Sequence, residues 1–192
     1  MKVLINVFLL LSLLTMKVVA QDTGTPSVFK TDIATYLTAM NQEQWDTVID
    51  MMYPKFFTLG SKEQLRQSFA QVTEMGMKVT TQLNAVEKIS PVVLTSNEQF
   101  HKIDYRATVK VKMSGIMLEN KEQMKKQLQS IYGAKQVKYN APKHEFIIAN
   151  AKKSMLAIAP TYSNIWKYLD LNAQQEQVLL RIISKEVLLQ LH

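Results

Sequence analysis

The chain has 192 residues, 47% of them hydrophobic, with no cysteine and a formal charge of +7. A chain of this length buries roughly 70% of the surface its unfolded form exposes, enough for one domain whose core alone holds the fold. The absence of cysteine excludes disulfides and a lipid anchor on a cysteine, and the modest basic charge comes without an aromatic-and-basic nucleic-acid motif.

The first twenty residues have the three parts of a cleavable signal peptide. Lys2 is the positive start, Val3 to Leu14 is an apolar run broken by Asn6 and Ser12, and Val18 and Ala20 supply the small residues before a cut at Gln21. The run is shorter than the roughly 20 apolar residues that span a bilayer, so the expectation is export to the periplasm or the medium. No stable membrane insertion is expected after cleavage. The domain plan is residues 1–20 as signal and 21–192 as a single α+β domain.

Four helical stripes follow from 3–4 spacing of apolar residues. The first is Phe29, Ile33, Tyr36, Leu37 and Met40, opened by Pro26; the second is Trp45, Val48, Ile49 and Met52, stopped by Pro54. Leu65, Phe69 and Val72 form the third, closed by Gly76; Met124, Leu128, Ile131 and Tyr132 form the fourth, closed by Gly133. Asn41-Gln-Glu-Gln44, Ser61-Lys-Glu-Gln64 and Asn120-Lys-Glu-Gln123 each read as a capping box, in which the first side chain and the Gln satisfy free N–H groups reciprocally.

Between the third and fourth stripes the period becomes two. Met77–Ile89 and Phe100–Met113 place apolar residues at odd positions, so they read as long antiparallel strands with one wet face. On the second of these, Lys102, Arg106, Lys110 and Lys112 make a basic row on the wet side, interrupted by Asp104 and Thr108. Three shorter strands are expected at Gln136–Tyr139, Glu145–Ala149 and Ser154–Ala159, with turns at Asn140-Ala-Pro-Lys143 and Asn150-Ala-Lys-Lys153. A Leu/Ile-rich helix is expected between Asn172 and Leu191. The helices are expected on one face of a curved, mainly antiparallel sheet, with an extra C-terminal helix.

The helical hairpin from Tyr36 through Trp45 to Pro54, the long sheet, and the closing phrase Asn164-Ile-Trp-Lys-Tyr-Leu-Asp-Leu171 resemble the NTF2-like (cystatin-like, SnoaL-type) superfamily in its exported bacterial members. The resemblance covers about residues 26–171. It implies a strand at Ile165–Leu169 and a sheet curled around a helix into a conical pocket. Some members of that superfamily use the cone for isomerase, dehydratase or cyclase chemistry, and many use it only to bind.

The candidate pocket residues are Tyr53, Phe57, Phe69, His101, Tyr105 and Trp166, aromatic groups that serve equally to pack a helix–sheet junction. His101 shares a strand face with Tyr105, two pleats away, while Asp104 points to the other face. The three histidines, His101, His144 and His192, lack metal-ligand spacing, and no catalytic residue, metal or cofactor is assigned. Asp46 and Asp50 lie i and i+4 on the second helix, where a solvated edge is the simpler reading. The functional expectation is an exported, non-enzymatic domain that binds a small apolar molecule or a protein partner. The alternative is an enzyme of the same fold moving protons on an apolar substrate. A homodimer through the sheet face is the third possibility.

Overall fold

The computed structural model of the chain describes residues 26–171 and 176–191; the expected signal peptide lies outside them. Helices α1 (Pro26–Asn41), α2 (Trp45–Met51) and α3 (Lys62–Glu74) lead into strands β1 (Met77–Ile89), β2 (Val93–Leu94) and β3 (Glu98–Met113). Helix α4 (Lys121–Tyr132) precedes strands β4 (Val137–Asn140), β5 (Glu145–Pro160) and β6 (Lys167–Asp170), and short helices α5 (Glu176–Leu179) and α6 (Lys185–Gln190) follow. The protein is therefore α+β, with one curved, unclosed antiparallel sheet of order β1-β3-β5-β4, β2 beside β3 and β6 beside β5.

Curvature comes from bulges. The β1–β3 register shifts after Leu83 and again after Val86, and the β3–β5 register shifts between Ala107 and Val109. This last shift replaces an expected turn. Asn150-Ala-Lys-Lys153 does not reverse the chain; Asn150 takes φ +54 and the two expected short strands run on as one, β5. Asn tolerates the left-handed region that a bulge requires, which is why the composition imitates a turn. The β1 shifts also break its simple alternation, so Val86 joins the core while Glu87 is exposed. At the strand's start Gly76 has φ +87, and a Cβ there would stand 2.3 Å from the Ser114 carbonyl oxygen.

One capping box of three forms. Ser61 Oγ accepts from Gln64 N–H while Gln64 Oε1 accepts from Ser61 N–H. Asn41 is instead the last residue of α1, and its amide lies along the outer edge of β1: Thr81 N–H donates to Oδ1 at 2.8 Å and Nδ2 donates to Thr81 O at 2.9 Å. The side chain thus covers a free sheet edge rather than a free helix end. Asn120 makes no cap bond, and its Nδ2 donates to Ile116 O.

Helices cover both faces of the sheet, not one. Phe29, Ile33, Tyr36 and Leu37 of α1, with Val48 of α2, pack on Ile103, Tyr105, Met155, Ala157 and Tyr168. Further along this concave face, α4 sets Leu128 against Val109, Val111, Phe146 and Ile148. On the convex face, Leu179 of α5, Ile183, and Val187 and Leu188 of α6 cover Phe100, Leu156, Ile158 and Leu169. Hence Met155–Ala159 is buried at every position, as a strand covered on both sides must be.

Candidate functional site

The six residues expected to line a pocket fall into three places. His101, Tyr105 and Trp166 share the concave face. His101 Nδ1 lies 2.9 Å from the Ser90 carbonyl oxygen, which can only accept, so Nδ1 carries the hydrogen. Phe29, His101 and Trp166 contact one another at ring separations of 5.0 to 5.4 Å. His101 Nε2, Trp166 Nε1 and Tyr105 Oη are all buried, and none has a hydrogen-bond partner among the described residues.

Tyr105 belongs to a polar row across three strands. It stands directly opposite Lys153, whose Nζ lies 4.0 Å from Asp170 Oδ2. Burial, then the Asp170 carboxylate and nearby Tyr36 and Tyr132, push the Tyr105 phenol well above its ordinary pKa, so it remains a neutral O–H donor. Burial and then Asp170 do the same to Tyr36. Tyr168, on the same face, donates its hydroxyl to Asp32 Oδ2.

Tyr53 lies elsewhere, where the chain leaving α2 runs beside β6: Tyr53 N–H donates to Tyr168 O at 3.0 Å. Its hydroxyl donates to Glu98 Oε1 at 2.7 Å, and Lys55 Nζ donates to Glu98 Oε2 at 2.8 Å. Burial is the main reason the Tyr53 phenol is raised to about 12, with its bond to Glu98 adding to it. This trio closes one side of a groove of about 340 Å³ whose walls are largely apolar, from Pro54, Ile158, Pro160 and Ile165, with Lys167 at the rim. Ile165 is 70% exposed. A cleft of about 410 Å³ between α1 and β1 is larger, but Thr38, Asn41, Thr80, Thr81 and Gln82 give it mainly hydroxyl and amide groups.

Phe57 and Phe69 line neither. Phe69 stacks on Trp45 at 4.5 Å, joining α2 to α3, and Phe57 stands edge-on to Phe56 with the Lys62 ammonium 5.3 Å from its ring. Asp46 is exposed and paired with Arg66, and Asp50 is exposed with Lys62 Nζ at 3.9 Å, so this carboxylate pair is a solvated ionic edge. Among the described residues no group of three or more His, Asp or Glu side chains could hold a metal ion, and no helix is long and apolar enough to cross a membrane.

The groove went unread in the sequence apart from Tyr53. Its one visible signal is Ile165, an apolar residue that directly follows the polar turn Thr161-Tyr-Ser-Asn164. No family model and no curated protein matches this chain.

Proposed function

We propose that this protein is a non-enzymatic binding domain for a small, mainly apolar molecule, held in the groove between Tyr53 and Lys167. The observation that carries the reading is an apolar trough of ligand size, about 340 Å³, with a few convergent polar groups at its ends. Pro54, Ile158, Pro160 and Ile165 offer the apolar wall; Lys55, Glu98 and Lys167 orient a polar head. The order of helices and curved sheet supports membership of the NTF2-like superfamily, and Lys2 with Val3–Leu14 supports export. The test is native mass spectrometry of the protein isolated from its own host, beside Ile165→Asp. Ile165 is exposed, so the substitution leaves the core intact. Extra mass on the parent protein, absent from the variant and lost on denaturation, is the expected result. Bare mass for the parent protein, or equal extra mass on both, contradicts the assignment.

The row Tyr105, Lys153 and Asp170 favours a second reading, proton-transfer chemistry on the concave face, because it sets a neutral donor beside a carboxylate. That reading requires Tyr105→Phe to abolish an activity, whereas the binding reading leaves Ile165→Asp as the damaging change.

A further inference from the structure

The wet sides of β1, β3 and β4 carry a lysine patch at one end of the convex face. Lys110 and Lys112 alternate with Val109, Val111 and Met113, which are buried on the other side. Lys138 lies between Val137 and Tyr139, which pack into the same cluster. The register sets Lys78 directly opposite Lys112, and it sets both Lys110 and Lys138 opposite Ile147. Strand spacing of about 5 Å and a two-residue repeat of about 7 Å therefore gather Lys110, Lys112 and Lys138 within two adjacent rows, with Lys78 at the sheet edge.

Positive charge runs along this face. In its middle Lys102 lies 3.7 Å from Asp104 and Arg106 donates to Glu87 at 2.8 Å, while exposed Lys88 and Lys152 form no ion pair among the described residues. At the lysine end, Lys110, Lys112 and Lys138 form no ion pair among the described residues, and Lys78 reaches off the edge to Glu43 at 3.1 Å. Glu145, opposite Lys112, accepts from Asn140. Lys78 and Lys112 stand directly across the strand pair, and Lys78 turns to Glu43, away from its like-charged neighbour. Helices α5 and α6 cover the other end of this face and leave the lysine end open.

We propose that this patch is an adsorption surface for an anionic lipid bilayer. A protein interface needs a buried apolar or aromatic centre and is depleted in lysine, whereas this patch has only half-buried Ile147 at its middle. Nucleic-acid binding by a sheet face calls for stacking aromatics, and the patch has none. Adsorption to anionic headgroups asks for clustered positive charge and no insertion, which is what these rows supply. The site is independent of the Tyr53–Lys167 groove.

The test is sedimentation of the purified protein with phosphatidylcholine vesicles and with vesicles in which about a third of the lipid is phosphatidylglycerol. Binding to the anionic vesicles alone is expected, lost in ~1 M salt where the screening length is about 3 Å. Lys110→Gln with Lys112→Gln should weaken it about 25-fold, since each lysine near such a surface contributes about fivefold. The thermal midpoint of that variant should hold, because Lys110 and Lys112 are exposed and form no ion pair among the described residues. Lys30→Gln with Lys126→Gln removes the same charge from exposed positions of α1 and α4, helices packed on the opposite face, and should cost little. Equal binding to both vesicle types, no binding to either, or equal loss from the two double variants overturns the proposal. Preference for polyglutamate over anionic vesicles also overturns it, assigning the patch to an acidic polypeptide.

Discussion

Two tyrosines on the concave face differ in one respect that stability measurements can read. Tyr105 and Tyr168 are each 1% exposed. Tyr168 donates to Asp32, and Tyr105 has a hydroxyl with no partner among the described residues. Replacing Tyr168 with Phe removes a hydrogen bond to a carboxylate and strands Asp32, a loss of about 1.5–3 kcal/mol. Replacing Tyr105 with Phe removes a buried hydroxyl whose desolvation is uncompensated, a gain that offsets the lost packing of one oxygen and leaves the variant neutral or about 1 kcal/mol more stable. For a chain of this size each kcal/mol moves the thermal midpoint by about 2–4 °C. Urea denaturation of both variants, read at unchanged m-value, gives the two signs separately. A loss of more than about 1 kcal/mol in Tyr105→Phe, or no loss in Tyr168→Phe, refutes the reasoning.

Stability should fall as pH rises through the alkaline range. Tyr36, Tyr53, Tyr105 and Tyr168 all have folded pKa values raised by burial above 10.0, so the unfolded chain loses these protons first. Their contribution is complete below pH 10 and declines above it, with the Tyr53 share levelling off near 12, and urea midpoints measured from pH 8 to 12 check the sign. Asn41→Ala uncovers the Thr81 N–H and C=O on the β1 edge and should cost about 1–3 kcal/mol by chemical denaturation. Leu156→Ala empties a fully buried site beneath α5 and α6 and should cost about 2–5 kcal/mol, with amide exchange accelerated in α6.

The α+β class was legible because hydrophobic period and punctuation agree along most of the chain: α1, α3, β1, α4 and β4 lie within a residue or two of their expected places. What escaped the reading has physical causes. Asn150 looks like a turn residue because this bulge uses the left-handed backbone that Asn also adopts in turns. Asn41 looks like an N-cap because an amide that pairs with a helix end pairs equally well with a strand edge. The second helical layer was written in Met155-Leu-Ala-Ile-Ala159, a continuous apolar run that no strand with a wet face would carry. Of the candidate residues, the period of β3 puts His101 and Tyr105 on one buried strand face. Phe57 and Phe69 were separated from them by a helix-to-helix contact that spacing alone does not encode. The groove draws on Tyr53, Glu98, Ile158 and Ile165, residues far apart in the chain whose meeting depends on β6 joining β5.

The central claim is that the Tyr53–Lys167 groove holds a small apolar molecule, and isoleucine methyl NMR addresses it directly. Ile158 and Ile165 line the groove, whereas Ile33 of α1 and Ile103 beneath it lie in the core and Ile148 lies under α4. Titration with decanoate, and with decanol as the uncharged counterpart, should shift the Ile158 and Ile165 methyls saturably and leave the other three in place, with decanoate the tighter because the Lys167 ammonium stands at the rim while Glu98 matches Lys55. Shifts confined to Ile33 and Ile103, or no saturable shift with either probe, would contradict the account.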